Sequence, residues 1–244
     1  MRPVLKWVPG DPGNPPPPIH ATYNPYQSAK DDMERNHGPF CSFCERRVED
    51  DALHVEHIQP KGLAQYEHLK FSWNNFLLAC QRCNGADNKN AHDVVYGQVH
   101  LPNKNNTLIS MVYLTGGLIK VNPVLRGASL RNAVKLIKLI GLQKRPGHRK
   151  HLPKDKRWMR RKKVWDLAND KLNDFEAGEI GSNIIVELAL GYGYFSLWYT
   201  VFQNHPAVKQ ILINAFPGTD LDSFNALNGY TPQNRNIPNL SDPI

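Results

Sequence analysis

At 244 residues, the chain is long enough for one large domain or two small ones, and its 41% hydrophobic and 21% charged residues are ordinary for a globular protein. This composition excludes disorder as the default state of most of the chain. The formal net charge of +8 favours a polyanionic partner, with nucleic acid ahead of a membrane surface.

Residues 1–37 are predicted to form an extended proline-rich leader followed by a short helix. Residues 9–18, PGDPGNPPPP, cannot form a helix or a central strand, because proline lacks an amide proton and its φ angle is fixed. The segment SAKDDMERN is typical of a short helix with Ser28 as its N-cap. No signal peptide is expected, because proline follows the first residues before an apolar core is built, so we expect a cytoplasmic protein.

Residues 38–105 are predicted to form a compact unit that contains every cysteine of the chain. The stretch ALHVEHI alternates between apolar and polar residues, as a strand does, until Pro60. The stretch NNFLLACQRCN is typical of a buried strand that leads into a helical turn. The expected order is therefore strand, strand, helix.

The cysteines form two C-x-x-C pairs, with 35 residues between them: Cys41, Cys44, Cys80 and Cys83. Two-residue spacing lets both sulfurs of a pair reach one ion at about 2.3 Å, and two pairs complete a tetrahedral zinc site. Thiols stay reduced in the cytoplasm, so the pattern indicates zinc rather than disulfides, with four unrelated buried thiols as the alternative. A zinc ion with four cysteine ligands has no open coordination position, so its expected role is structural.

Residues 106–216 are predicted to form a hairpin and then several helices. Two β-branched runs around TGG, within residues 108–124, indicate the hairpin. The stretch SLRNAVKLIKLIGL is typical of a helix that is capped by Ser129 and ends at Gly141. A second helix is expected at roughly residues 156–176.

One or two further helices are expected between residues 182 and 216, followed by an irregular tail at 217–244 that is rich in Asn, Pro and Ser. Residues 183–202, NIIVELALGYGYFSLWYTVF, are long enough to span a bilayer. Glu187 would cost about 2.5 to 3.5 kcal/mol near the membrane centre, so we expect a buried helix or a partner-docking surface, and no membrane association.

A strongly basic run occupies residues 144–163, KRPGHRKHLPKDKRWMRRKK, with eleven Lys and Arg against one Asp. Phosphate contacts by such a run would supply affinity for nucleic acid without sequence readout, and this affinity would depend strongly on salt. A solvated helix face and a dock for an acidic patch on a partner protein are the alternatives.

The order C-x-x-C, Glu-His-Ile-Gln-Pro, an asparagine-rich stretch and C-x-x-C-Asn resembles the HNH endonucleases, over about residues 41–89. The resemblance implies a ββα-metal core, which the cysteine pairs would staple with zinc. Together with the helices expected after it, this predicts an α+β chain with a mainly α-helical C-terminal region. It also implies two catalytic residues. His57 matches the general base, a role that suits a side chain with a pKa near working pH. Asn75 matches the middle asparagine that holds the histidine or its loop, with Asn74 as the alternative.

The same resemblance implies a second, catalytic ion, either Mg²⁺ or Mn²⁺. Glu56 and Asn84 match its ligands, and both offer the hard oxygen atoms that such ions prefer. His54 lies two residues before Glu56 on the same strand face, so it is a further candidate ligand or phosphate contact.

The chain departs from the family pattern at one position. Many relatives carry a lysine three residues after the closing Asn or His, where this chain has Asp87, and Lys89 follows two residues late. Asp87 and Asn88 therefore remain alternatives to Asn84 as the closing metal ligand.

When the flanks are included, the chain looks like the PtuB family of HNH proteins from Septu anti-phage systems. The segments that carry this likeness, within roughly residues 38–165, are FCSFCERRV, HVEHIQPKG, SWNNFLLACQRCNGADNK and GGLIKVNPV. The likeness implies a PtuA-like ATPase as partner and nucleic acid, foremost DNA, as target. A zinc-stapled adaptor that cleaves nothing and a stand-alone restriction-type HNH nuclease are the alternatives.

Overall fold

The computed structural model describes residues 1–11, 19–49, 52–235 and 244, and every structural statement below refers to these residues. They contain α-helices and three antiparallel two-stranded sheets, so the predicted α+β class is confirmed. The polyproline prediction for residues 9–18 falls mainly on 12–18, which lie outside the described residues.

The first helix, α1 (Lys30–His37), follows a 3₁₀ turn at Tyr26–Ala29. The helix prediction is confirmed, but Ser28 is not its N-cap. Its hydroxyl donates to the carbonyl oxygen of Pro25 within the 3₁₀ turn, and Ala29 takes the N-cap position. The hydroxyl therefore stabilises the preceding turn instead of the helix.

The cysteine-bearing segment has the predicted order of strand, strand, helix. Strands β1 (Leu53–His57) and β2 (Phe76–Cys80) pair antiparallel, with Leu53 opposite Cys80 and His57 opposite Phe76. Helix α2 (Gln81–Asn84) is a single turn that follows β2 directly. Every residue of β2 is buried, as expected of a strand with an unbroken apolar run.

A one-turn helix, α3 (Thr107–Ser110), leads into the predicted hairpin, β3 (Met111–Leu114) and β4 (Leu118–Val121). Gly117 in the intervening turn has a φ of +68°, and a Cβ there would lie 2.8 Å from the carbonyl oxygen of Arg161. Glycine is needed at this position because the hairpin turn packs directly against the backbone of a later helix.

Five further helices follow the hairpin: α4 (Gly127–Ile140), α5 (Arg157–Glu176), α6 (Ser182–Tyr192), α7 (Phe195–Val201) and α8 (Pro206–Ala215). Helix α4 ends at Gly141, as predicted, in the left-handed conformation. Ser129 is not its cap, because α4 already begins at Gly127 and Arg126 occupies the N-cap position. Three helices, instead of the one or two expected, lie between residues 182 and 216.

The apolar segment 183–202 is divided between α6 and α7 by Gly193 and Tyr194, both with positive φ. The backbone N–H of Tyr194 donates to the carbonyl oxygen of Glu45 at 2.7 Å, next to the first cysteine pair. In the part of the chain described here, no helix is both long enough and apolar enough to cross a membrane. Helix α7 is instead largely buried in the protein.

One continuous hydrophobic core joins the cysteine-bearing segment to the rest of the chain. It includes Met33 of α1, Phe43, Leu77 of β2, Trp198 of α7 and Phe224. Residues 217–235 are not irregular throughout, since they add the short strands β5 (Phe224–Asn225) and β6 (Thr231–Pro232). The prediction of an irregular tail stays untested for 236–243, which lie outside the described residues.

Candidate active site and metal centre

Four cysteine side chains converge where β1 begins and β2 ends. Their sulfur atoms all lie within 4.8 Å of one another, and those of Cys44 and Cys80 are 3.8 Å apart. A tetrahedral ion with bonds of about 2.3 Å would place two sulfur ligands about 3.8 Å apart. All four side chains are buried. The donor set and its spacing therefore fit a metal ion such as zinc.

Arg157, the first residue of α5, connects the cysteine cluster with the helical region. Its guanidinium donates to the sulfur of Cys83 at 3.3 Å, to the carbonyl oxygen of Ile140 at 2.8 Å and to the carboxylate of Asp155 at 2.8 Å. Burial acts to lower the pKa of Arg157, but Cys83 and Asp155 outweigh it and raise this pKa. The guanidinium therefore stays charged and offsets negative charge on the sulfurs.

Glu56 is buried near the end of β1 and forms an ion pair with Lys89. The Nζ of Lys89 lies 2.5 Å from Oε1 of Glu56 and donates to the carbonyl oxygen of His57 at 2.6 Å. The Lys89 side chain is 0% exposed and that of Glu56 is 6% exposed. Burial raises the pKa of Glu56, whereas the charge of Lys89 acts in the opposite direction. Lys89 thus fixes both the carboxylate and the end of the strand.

The imidazole of His57 is oriented by a backbone carbonyl and two aromatic rings. Its Nε2 lies 2.8 Å from the carbonyl oxygen of Lys70, so Nε2–H donates there and Nδ1 can accept a proton. Tyr26 and Phe76 contact the ring in edge-on geometry. Burial lowers the pKa of His57, partly offset by the Lys70 carbonyl, and the charge of Lys61 lowers it further. The ring is therefore neutral at neutral pH, as a general base must be.

Asn75 holds the loop that follows His57. Its Oδ1 accepts from the N–H of Gln59 at 2.8 Å, and its Nδ2 donates to the carbonyl oxygen of the same residue at 2.9 Å. Its own carbonyl oxygen accepts from the N–H of Ile58 at 2.8 Å. Asn75 is 1% exposed, whereas Asn74 is exposed to solvent. Of the two asparagines, Asn75 has the contacts that a positioning residue requires.

Asn84, the predicted closing ligand, is the last residue of α2 and is half-buried. The N–H of Lys89 donates to the carbonyl oxygen of Cys83 at 3.2 Å, so the loop after α2 folds back and brings Lys89 to Glu56. Within the described residues, Asn84 forms no direct hydrogen bond with Glu56 or His57. Asn84 is linked to the end of β1 only indirectly, because Lys89, in the loop after α2, contacts Glu56 and His57.

The alternative ligands already have other partners. Asp87 forms an ion pair with Arg82 at 3.2 Å, and the Oδ1 of Asn88 accepts from Lys144 at 2.8 Å. His54 is exposed on β1, two residues before Glu56 and opposite Ala79. In the described part of the chain, the cysteine cluster is the single group of three or more His, Cys, Asp or Glu side chains close enough to hold a metal.

Three residues with central contacts were not among the predicted site residues: Lys70, Lys89 and Arg157. Lys89 had a signal in the sequence, since it lies two residues beyond the position at which many HNH relatives carry a lysine. Lys70 acts through its backbone carbonyl, which no side-chain pattern reveals. Arg157 was counted with the basic run, and no sequence signal separates it from its neighbours.

Burial divides the basic run 144–163 into two groups. Arg157, Arg161 and Lys144 are buried, and Arg161 donates to the carbonyl oxygens of Gly117 and Leu142. These three cations stabilise the packing between elements. The exposed cations of the run are Arg145, Arg149, Lys150, Lys154, Lys156, Arg160, Lys162 and Lys163. Only the exposed group lies where a polyanion can reach it, and within this group Lys154 and Lys162 also form ion pairs with Asp87 and Asp166.

Comparison with known proteins relates the segment that contains these residues to one protein family. Residues 41–90 match the family model of the HNH endonuclease. The chain is similar to the Septu protein PtuB of Bacillus thuringiensis, with 40% identity over 55 residues that cover 22% of this chain and 20% of that protein. It is also similar to the Septu protein PtuB of Bacillus mycoides (strain KBAB4), with 32% identity over 83 residues that cover 27% of this chain and 28% of that protein.

The match covers less than a third of the length of either relative, so it describes a segment of the chain and not the whole. The segment that matches the family model contains β1, β2 and α2, both cysteine pairs and the Glu56-His57 dipeptide. The similarity to the HNH endonuclease family is therefore established for residues 41–90 of this chain.

Proposed function

We propose that the chain is a metal-dependent endonuclease that hydrolyses phosphodiester bonds of DNA. The observation that carries the proposal is the arrangement of His57 inside the HNH domain. Its Nε2–H is held by the Lys70 carbonyl, its Nδ1 is left to accept a proton, and its pKa is lowered by burial. A neutral imidazole that is fixed in one tautomer is suited to take a proton from an attacking water.

The residues around His57 keep this base in position. Lys89 donates to the His57 carbonyl oxygen and pairs with Glu56, while Asn75 fixes the backbone of Gln59 just beyond the strand. After proton transfer, the Lys70 carbonyl continues to accept from Nε2–H and so stabilises the imidazolium. In this proposal His57 is the catalytic residue, and Asn75 and Lys89 are positioning residues.

Glu56 and Asn84 are the proposed protein ligands of a catalytic Mg²⁺ or Mn²⁺, with His54 as a further candidate. Two oxygen donors fit such an ion, because Mg²⁺ usually binds through one or two protein ligands and keeps several waters. The Lys89 contact engages one oxygen of Glu56, and a carboxylate has two. When bound, the ion would supply Lewis-acid stabilisation of charge at the scissile phosphate.

We propose Zn²⁺ as the ion of the cysteine cluster, with a structural role. Four sulfurs leave no coordination position for water or substrate, so the site can hold the fold together but cannot take part in hydrolysis. In the same proposal, residues 38–105 are the nuclease core, and 106–216 provide the surface for a partner, for nucleic acid or for both. Exposed Ile184, Tyr192 and Ile211 lie on the helices of that region.

We further propose that the chain works as the nuclease subunit of a Septu-type anti-phage complex with a PtuA-like ATPase. Support comes from the two PtuB relatives, which share the HNH segment with this chain. Co-purification of the chain with the product of an adjacent ATPase gene tests the partner. A chain that elutes alone after co-expression with that ATPase would contradict this part of the proposal and leave the nuclease part intact.

A plasmid-nicking assay with Mg²⁺ or Mn²⁺ tests the nuclease itself, on the chain alone and on the complex. We expect His57→Ala to lose nicking by about 10²- to 10⁴-fold, the usual contribution of general base catalysis. His68→Ala is the matched control, because His68 is exposed on the loop between β1 and β2. Both variants should retain the metal of the cysteine cluster. A wild-type complex that binds DNA but never cuts it would favour the adaptor alternative.

A further inference from the structure

A cleft of about 630 Å³ lies outside the proposed catalytic centre, between α4 and two loops. One wall is the segment from Asp87 to Val99, and the other is Gln143 with the start of the basic run, as far as Lys150. Leu139 and its neighbours on α4 form the remaining side. This volume lies within the range of about 300 to 1,000 Å³ that is typical of pockets for small ligands or for one unit of a larger ligand.

The rim of the cleft is cationic. Its charged side chains include two carboxylates, Asp87 and Asp93, and five cations: Lys135, Lys138, Lys144, Arg149 and Lys150. Both carboxylates already have partners, since Asp87 pairs with Arg82 at 3.2 Å and Asp93 accepts from Tyr66 at 2.8 Å. All of these cations except Lys144 are exposed to solvent. The five cations outnumber the two carboxylates, so the rim carries net positive charge that favours an anion.

The interior of the cleft is different in character. Val99 and Leu139 provide a shielded apolar surface, whereas Val95 is exposed; of the three side-chain amides in the lining, Asn88 and Gln98 already accept from Lys144 and Lys135. Among the described residues, the Oε1 atom of Gln143 is buried and has no hydrogen-bond partner. A buried acceptor without a donor costs free energy unless a ligand supplies one. The interior is thus suited to a flat group with an apolar face and a hydrogen-bonding edge.

We propose that this cleft binds an unpaired nucleotide of a nucleic-acid strand, with the phosphates on the basic rim and the base inside. Cations that follow a backbone, together with an apolar recess for a base, are the features by which proteins hold single strands. A duplex is too wide to enter a recess of this volume and would reach the rim only. An acidic protein segment would use the rim but has no flat group for the interior.

The position of the cleft relates it to the proposed nuclease. Asp87 and Asn88 line the cleft and lie in the loop that follows Asn84, and the same loop carries Lys89, the partner of Glu56. A strand that occupies the cleft therefore passes beside the loop that follows one proposed metal ligand, Asn84. The inference rests on the proposed function for its substrate class, nucleic acid. It adds that the form bound in the cleft is an unpaired strand.

Binding is measured by fluorescence anisotropy with a labelled 12-nucleotide single strand and with the matching duplex. The full chain carries His57→Ala and no divalent ion is added, so cleavage does not affect the readout. We expect the single strand to bind about tenfold more tightly than the duplex. Lys138→Glu with Arg149→Glu should weaken single-strand binding by at least about tenfold and reduce the salt slope by about 1.4, the value for two phosphate contacts.

The matched control is Arg160→Glu with Lys163→Glu, which makes the same charge change at exposed positions of α5 outside the cleft. Its binding should stay within twofold of the parent chain. Gln143→Leu removes the buried acceptor at nearly constant volume, and it should weaken single-strand binding about fivefold while duplex binding is unchanged. Thermal melting of each variant confirms that it is folded.

Four results would overturn the inference: equal binding of duplex and single strand, equal loss in the control pair, equal binding of a poly-glutamate peptide, or displacement of the strand by an equimolar free mononucleotide. The last would assign the cleft to a small nucleotide instead of a strand. Failure of the proposed function is separate, because it appears as absence of cleavage by the wild-type chain whether or not the single strand binds.

Discussion

The two ends of the β1–β2 hairpin are built in opposite ways. At the end where Leu53 faces Cys80, four identical donors converge and are fully buried. At the end where His57 faces Phe76, the groups are chemically mixed and several act through the backbone, as the Lys70 carbonyl does. The first end presents a buried donor set that fits a metal ion, whereas the second presents a carboxylate and an imidazole, to which the proposed chemistry is assigned.

This difference separates stability from chemistry within a short segment. A saturated thiolate site supplies folding free energy through metal binding, and it needs no freedom of movement. The other end has to hold an ionised carboxylate and a neutral imidazole in a buried setting, which is costly without specific partners. Lys89 and Asn75 are those partners here. Substitutions at the cysteine end should therefore act through loss of the metal, whereas substitutions at the other end should act through loss of the contacts that hold the carboxylate and the imidazole.

The largest effect is expected at the cysteine end. Cys80→Ser should abolish metal binding and with it most of the folding free energy, because structural zinc contributes about 10 kcal/mol or more in small domains. Metal content by mass spectrometry and thermal melting by circular dichroism measure both. Ser42→Ala is the control, since Ser42 lies between the first two cysteines and its hydroxyl has no partner among the described residues. A stable, metal-free Cys80→Ser chain would contradict a structural role.

The next effect concerns the ion pair at the other end. Lys89→Met leaves the buried Glu56 carboxylate without its counter-ion, and we expect a loss of about 3 to 5 kcal/mol in the free energy of unfolding. The pKa of Glu56 is already raised by burial, and loss of Lys89 raises it further. A carboxylate whose pKa is higher in the folded than in the unfolded chain destabilises the fold at pH values above the unfolded pKa. The loss in the free energy of unfolding should therefore be larger at pH 8 than at pH 5.

Urea unfolding at the two pH values measures this effect. The double variant Lys89→Met with Glu56→Gln should recover a large part of the loss, because it removes both charges together. Recovery would show that the cost arises from the unpaired carboxylate rather than from the volume of the lysine. A loss that is equal at pH 5 and pH 8, and that Glu56→Gln does not relieve, would contradict the assigned ion pair.

Much of this hairpin could be predicted from the sequence, because the signals for its strands and cysteine pairs are local. The strand predicted from ALHVEHI, the spacing of the cysteines and Gly141 as a helix stop agree with the structure, although Val55, Glu56 and His57 are all buried and do not alternate. The caps at Ser28 and Ser129 were wrong, since a hydroxyl can serve a neighbouring turn equally well and helix starts depend on tertiary packing.

The rest of the site depends on contacts between distant parts of the chain. The break at Tyr194 follows from docking on Glu45, and the position of Lys89 follows from the fold of a loop two residues longer than the family pattern. Arg157 contacts Cys83, which lies 74 positions earlier in the chain. Such pairs have no fixed spacing in a sequence, so one sequence alone cannot identify them.

A smaller effect should distinguish the two neighbouring asparagines. Asn75→Ala leaves the N–H and carbonyl of Gln59 without their partners, and we expect a loss of about 1 to 3 kcal/mol in the free energy of unfolding. Cleavage should fall as well, because the loop beyond His57 loses its support. Asn74→Ala, at an exposed position, should stay within about 0.5 kcal/mol of the parent. Equal effects in urea unfolding and nicking would argue against Asn75 as the positioning residue.

The smallest effect concerns the pH dependence of cleavage. The pKa of His57 is lowered mainly by burial and further by the charge of Lys61, which is exposed and lies over the ring of Tyr26. His57 must be neutral to act as a base, so cleavage should be lost as pH falls through this lowered pKa. Lys61→Gln removes a positive charge and raises the pKa of His57. The acid limb of the pH–rate profile should therefore move to higher pH, by a few tenths of a unit because an exposed charge is screened.

Nicking rates between pH 5 and pH 8 measure the position of this limb, at low and at high salt. The shift caused by Lys61→Gln should shrink as salt increases, since screening weakens the charge of Lys61 in the parent chain. Lys163→Gln is the control, because it removes an equally exposed charge on α5 and should leave the limb unchanged. A limb that moves to lower pH in Lys61→Gln, or that moves equally in both variants, would mean that the ionisation controlling cleavage is not that of His57.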